Sequence, residues 1–142
     1  MSEGTGLTDA EIAAAVQGVL AVPLHRSLGV ALVDPADPSA GLEIEVAQLA
    51  LNNKGVLHGG LVPLLLDVAS YLAVLPALEP GTNAVTTSVS ASLLVGVQAG
   101  ERVRFSGQVE RRGRSVAFLS ARARVGERVV ATGQVVKSIV RG

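Results

Sequence analysis

The run from Leu61 to Leu75, LVPLLLDVASYLAVL, is apolar around most of a helical circumference, and it constrains the rest of the chain more than any other segment. A helix without a polar face has to be enclosed by protein. The run is too short for an ordinary membrane span and carries Asp67 and Ser70 in its interior. The pattern therefore predicts a buried helix from Leu61 to about Ala77, and the flanking segments of a 142-residue chain must build its enclosure.

Those flanks read mainly as strands. Thr8-Asp9-Ala10-Glu11 has the spacing of a capping box, and Ile12, Ala15, Val16, Val19 and Leu20 follow at helical intervals, predicting a short helix from Asp9 to Leu20 that stops before Pro23. Leu28 to Val33 is expected as a strand and Asp34 to Gly41 as a turn. Leu42, Ile44 and Val46 alternate with Glu43 and Glu45, the period of a half-buried strand. After the buried helix, strands are expected at Ala84–Val95, Arg102–Arg111, Arg114–Val125 and Glu127 to about Val140, with turns at Gly96–Gly100, Arg112-Gly113 and Gly126-Glu127. Two strands, a buried helix and four more strands describe an α+β domain spanning residues 1–142, in which a curved antiparallel sheet wraps a central helix. This is the hotdog architecture. One sheet around one helix leaves a strand edge and an apolar flank open, so a homodimer or homotetramer is expected.

Composition narrows the partners. Twelve basic residues balance twelve acidic ones, so no overall field draws the chain to nucleic acid or to an anionic membrane. The absence of cysteine removes disulfides, thiolate nucleophiles and cysteine-based zinc sites. With only two histidines, a metal site would lean on carboxylates, and none is expected. Residues Met1 to Gly6 lack a basic start and an apolar stretch, so the expected location is cytoplasmic.

The chemistry concentrates between Asn52 and Asp67, in NNKGVLHGGLVPLLLD. Gly59 and Gly60 sit where a loop enters a helix, and their N–H groups can reach a ligand without side chains in the way. The helix start adds partial positive charge, which suits a developing oxyanion. Pro63 fits a first turn that needs no intrahelical N–H bond. Asp67 lies seven residues beyond Gly60, about two turns at ~3.6 residues each, and so shares a face with the helix start. Between Leu66 and Val68 it reads as an isolated carboxylate in apolar surroundings, a costly placement that points to a chemical role as nucleophile or general base.

The pattern Asn-x-x-Gly-x-x-His-Gly-Gly from Asn52 to Gly60, followed by Asp67, resembles the PaaI-type acyl-CoA thioesterases of the hotdog superfamily, and the resemblance runs from Pro23 to Val140. It implies acyl-CoA as substrate, with CoA as leaving group and no separate cofactor. It implies that Asn52 binds or orients substrate and nucleophile, that His58 supports the loop and the thioester, that Gly59 or Gly60 gives the oxyanion N–H, and that Asp67 is the catalytic carboxylate meeting a loop from a partner subunit. Thr86, rather than Thr87, falls where a hydroxyl holds the attacking water. The basic turn Arg111-Arg112-Gly113-Arg114-Ser115 is similar to the family's CoA-contacting segment, and cations there suit phosphates. The stretch Leu94-Val95-Gly96-Val97-Gln98 departs from the family's usual proline-containing pattern, and no contact is carried over to it.

Two other readings stay open at this level. A non-catalytic acyl-CoA sensor shares the fold, although no DNA-binding extension is visible. An enoyl-CoA hydratase would use a His–carboxylate pair such as His58 with Asp67, but the Gly-Gly and the Asn52 spacing fit thioester hydrolysis better.

Overall fold

A computed structural model describes residues 6–142; the reading of the N-terminal residues as lacking an export signal falls mostly on residues 1–5, outside those described. Helix α1 (Asp9–Leu20) opens with the anticipated capping box, Thr8 and Glu11 exchanging side-chain and backbone hydrogen bonds. Pro23 does more than stop α1. Its fixed φ suits a first helical position, and it opens a second helix, α2 (Pro23–Leu28), which ends at Gly29 with φ of 73°. The expected strand at Leu28–Val33 is accordingly reduced to β1 (Ala31–Leu32). Strand β2 (Leu42–Glu45) follows, then helix α3 (Leu61–Val74), which tightens into a 3-10 turn at Leu75–Ala77 around Pro76.

Four long strands complete the chain: β3 (Thr82–Leu93), β4 (Arg102–Arg112), β5 (Val116–Val125) and β6 (Arg128–Arg141). With β1 and β2 they form one six-stranded antiparallel sheet in the order β1-β2-β4-β5-β6-β3, with α3 against its inner face. This is the hotdog fold that the order of elements predicted.

Small residues seat the helix. Gly107, Ala121, Gly133 and Ala91 are register partners in a row across β4, β5, β6 and β3. A Cβ on Gly107 would stand 2.8 Å from Ser70 Cα, and one on Gly133 would stand 2.7 Å from the Ser90 carbonyl oxygen and 2.9 Å from Leu66 Cδ1. Around this seat Leu65, Leu66, Ala69 and Leu72 of α3 pack with Ile44, Phe105, Leu119 and Val135 of the sheet, all essentially solvent-free. Each large side chain so buried contributes about 1.5–3 kcal/mol. Ser70, polar and fully buried, donates its hydroxyl hydrogen to the Leu66 carbonyl at 2.8 Å.

The sheet's outer face carries Arg102, Arg104, Arg122 and Arg124, the first two paired with Glu43. Edge strand β3 is exposed along most of its length, with Val85 48% and Leu93 53% accessible, and the apolar exposure continues through Leu94 and Val95. Among the described residues no helix is long and apolar enough to cross a membrane.

Candidate active site

The loop before α3 is built by Asn52 and glycine. The Asn52 side-chain oxygen accepts from the N–H groups of Lys54 (2.9 Å) and Val56 (3.2 Å), and the turn closes at Gly55, whose φ of 76° is left-handed. His58 N–H donates to the Ala50 carbonyl at 2.8 Å, and Nδ1 of the same histidine accepts from Gly60 N–H at 2.9 Å. If the ring is neutral, its proton is therefore on Nε2.

The amides at the helix start are unequal in consequence. Gly60 N–H is taken by His58, Leu61 N–H by the His58 carbonyl at 3.0 Å and Val62 N–H by the Gly59 carbonyl at 3.2 Å, while Pro63 has none. Among the described residues nothing accepts from Gly59 N–H. Gly59 and Asn52 line a cavity of about 260 Å³ walled by Val56, Leu93, Leu94 and Val130. Of the two glycines read from the sequence, Gly59 has the free donor.

Asp67 lies on a different cavity, of about 460 Å³, together with Thr86, Lys137, Tyr71 and His25. Its carboxylate is not isolated, and this corrects the expectation. Lys137 Nζ donates to Asp67 Oδ1 at 2.8 Å and to Thr86 Oγ1 at 3.0 Å. An ammonium can only donate, so Thr86 accepts there and directs its own hydrogen to Asp67, straddling Oδ1 at 2.8 Å and Oδ2 at 2.9 Å. The Lys137 side chain is 2% exposed and that of Asp67 26%.

A break in the β3–β6 register selects this threonine. Thr86 pairs with Lys137 and Ser88 with Val136, so Thr87 is the extra residue of a bulge and its hydroxyl donates to the Val136 carbonyl at 3.1 Å. Bulges re-aim side chains in this way. The structure thus brings together Asp67 and Thr86 from the residues read in sequence, and puts Asn52 and Gly59 on another cavity of the same chain.

Three residues of the Asp67 cavity carried no assignment from the sequence. Lys137 belongs to the inward-facing set of β6 with Val135 and Ile139, a lysine where the period of two calls for an apolar residue. That was the available signal. Tyr71, one turn after Asp67, lies beneath the ammonium with its ring centroid 5.7 Å from Lys137 Nζ, and burial pushes its phenol up from its ordinary pKa. His25 donates from Nδ1 to the Val19 carbonyl at 2.7 Å, tying α2 to the end of α1, and it forms part of the cavity wall.

The basic turn divides as well. Arg112 donates to the carbonyls of Ala77 (3.1 Å), Arg114 (3.3 Å) and Gly113, and so staples the turn to the end of α3. Arg111, Arg114 and Ser115 are exposed.

Comparison with known proteins places the chain in a family. The family model described as the thioesterase superfamily matches residues 54–132. Acyl-coenzyme A thioesterase 13 of Homo sapiens is 31% identical over 97 residues, 68% of this chain and 69% of that protein. An esterase-like protein of Pseudomonas aeruginosa is 33% identical over 81 residues, 57% of this chain. The chain spans 60% of the length of the Pseudomonas protein and 64% of the mouse acyl-coenzyme A thioesterase 13. Among solved structures, a thioesterase-type, phenylacetic acid degradation-related protein of Ralstonia eutropha superposes with a TM-score of 0.73 at 27% identity, covering 89% of this chain and 98% of that one. The chain belongs to the thioesterase superfamily.

Proposed function

We propose that the chain hydrolyses an acyl-CoA thioester to the free acid and CoA, with Asp67 as general base. The observation that carries the reading is the carboxylate of Asp67 held by Thr86 on an otherwise mainly apolar cavity. The likeness to acyl-coenzyme A thioesterase 13 supports CoA as the leaving group.

A water on Asp67 Oδ2 loses its proton to that oxygen as its own oxygen attacks the thioester carbon. The carbonyl oxygen takes the negative charge and is met by Gly59 N–H, the amide at the helix start that has no acceptor among the described residues. Collapse of the tetrahedral intermediate breaks the C–S bond, and the thiolate recovers the proton from Asp67. Thr86 Oγ1, having accepted from Lys137, keeps one lone pair for the second hydrogen of the water. The base role suits a carboxylate already bound at 2.8 Å by an ammonium, because proton transfer needs only hydrogen-bond reach, whereas nucleophilic attack needs a bond to carbon.

The Gly59 and Asp67 cavities are distinct in one chain, so the productive site combines the loop of one protomer with Asp67 of its partner, and a homodimer or homotetramer is the working unit. The unpaired edge of β3 and its exposed Val85, Leu93 and Leu94 support that pairing. Arg111, Arg114 and Ser115 are the exposed groups of the basic turn available to CoA phosphates. The test is a panel of aliphatic and aromatic acyl-CoA thioesters with free-thiol detection on wild type and Asp67→Asn. Thiol release by wild type and its loss in the variant are expected; no release across the panel, or full activity in the variant, rejects the reading. Single turnover in ¹⁸O-water should leave Asp67 unlabelled, whereas a covalent anhydride opened by water at the Asp67 carboxyl carbon would leave label in that carboxylate.

A further inference from the structure

We infer that Lys137 is a positioning residue: it immobilises Asp67 Oδ1 and Thr86 Oγ1 together, so that Asp67 acts through Oδ2. The inference rests on the acyl-CoA hydrolysis proposed above and concerns a residue outside the Asn52–Asp67 segment altogether.

The geometry is over-determined for a mere charge pair. Lys137 Nζ makes two short donations, 2.8 Å to Asp67 Oδ1 and 3.0 Å to Thr86 Oγ1, while the Tyr71 ring stands 5.7 Å away on another side. Those three partners come from α3 and β3, and Lys137 itself from β6. One buried ammonium thereby ties the helix to two strands at the one point where the helix bears a charge. Its stem lies on the inward face beside register partner Ala117, which is fully buried and leaves room for it.

Two consequences follow for the reacting atoms. Oδ1 carries an ammonium hydrogen and a share of the threonine hydrogen, so its lone pairs are largely committed. Oδ2 has only the other share of the threonine hydrogen and is the oxygen left to take a proton. Thr86, in turn, cannot rotate its hydroxyl freely: accepting from Lys137 orients its hydrogen toward Asp67. Without the lysine, the carboxylate could turn about its last torsion and the hydroxyl could donate to water instead, scattering the base over several orientations. A burial of this kind is a weak source of stability, since an ion pair taken out of water gives back in attraction much of what it loses in hydration. Pre-orientation of a catalytic group is the better account of a lysine at this position.

The test compares wild type, Asp67→Asn, Lys137→Met and Lys137→Ala on the best thioester of the panel, with circular dichroism to follow folding. Methionine keeps the apolar stem and removes the charge. Expected is a fall in kcat of about 100-fold in Lys137→Met with KM within about threefold of wild type. Expected too is recovery of at least about tenfold in Lys137→Ala on adding propylammonium, but not propanol of the same size. If Lys137→Met keeps kcat within about threefold while Asp67→Asn is inactive, the positioning role is overturned and hydrolysis by Asp67 stands. If the lysine variants lose kcat only as they lose folded protein, and ammonium restores nothing, the lysine is structural and the inference is overturned. Absence of thiol release by wild type overturns both readings.

Discussion

Lys137 Nζ and Asp67 Oδ1 are 2.8 Å apart although 70 residues separate them in sequence, and the lysine of the pair is the more deeply buried partner, 2% exposed against 26%. Removing either charge alone therefore has unequal consequences. Asp67→Leu strands a buried ammonium with Thr86 as its remaining hydrogen-bond acceptor and should lower stability by about 2 kcal/mol. Lys137→Met leaves a carboxylate that water can reach and should cost less. Adding Lys137→Met to Asp67→Leu should recover stability without recovering activity. Urea melts of the four proteins check this, and strictly additive losses would show that the two charges do not interact.

The helix-start amides make a separable prediction. Gly60 has φ of −65°, already the value proline prefers, and its N–H serves only His58 Nδ1. Gly60→Pro should nonetheless destabilise the fold by more than the ~1 kcal/mol of the lost hydrogen bond, because the proline Cδ takes the place of the amide hydrogen and meets His58 Nδ1, which stands 2.9 Å from the Gly60 nitrogen. The His58 ring must turn away from the amide, since a Cβ at this position also stands 3.1 Å from it. Activity should stay within about tenfold of wild type, because Gly59 holds the free amide. A loss beyond about 100-fold in kcat with the fold intact would transfer the oxyanion role to Gly60.

The open edge of β3 bears on assembly. Val85 is 48% exposed on a twelve-residue edge strand, where an arginine adds charge that opposes strand pairing between copies. Val85→Arg should run as a monomer in sedimentation, keep its circular dichroism spectrum, and lose thioester hydrolysis, because the loop of one protomer no longer reaches Asp67 of another. A monomer with full activity would place the whole site within one chain.

How much of this was legible in the sequence depended on range. Helix α3, the flanking strands and the Gly59-Gly60 entry were readable because apolar periodicity and glycine act locally. Pro23 was readable as a break but not as a beginning, since the same fixed φ that ends α1 also suits the first turn of α2. The partners of Asp67 were only half readable. Family likeness pointed to Thr86, but what separates Thr86 from Thr87 is a one-residue bulge set by the pairing of β3 with β6. Lys137 comes from the last strand, and its inward aim depends on register, in which a shift of one residue moves a side chain to the other face. Arg112 misleads in the same way: in sequence it is one of three arginines at a turn, in space a clamp on the Ala77 carbonyl.

Tyr71 offers a readout of the Asp67 cavity that needs no substrate. It is the only tyrosine of the chain and there is no tryptophan, so phenolate absorbance in an alkaline titration reports this residue alone. Burial disfavours the phenolate and pushes its pKa up from 10.0, so the midpoint in the folded protein should lie above that of the unfolded chain in denaturant. The folded state holds the proton more tightly than the unfolded state, so this contribution is fully present below pH 10.0, the unfolded value, and is lost as pH rises toward the raised folded one. Tyr71→Phe should remove that alkaline loss while leaving stability at neutral pH little changed, because the ring that faces Lys137 remains. Denaturant melts of both proteins across the alkaline range decide it. Identical slopes of stability against pH, or a folded midpoint at or below that of the unfolded chain, would mean that Tyr71 is hydrated and that the cavity around Asp67 is open to bulk water.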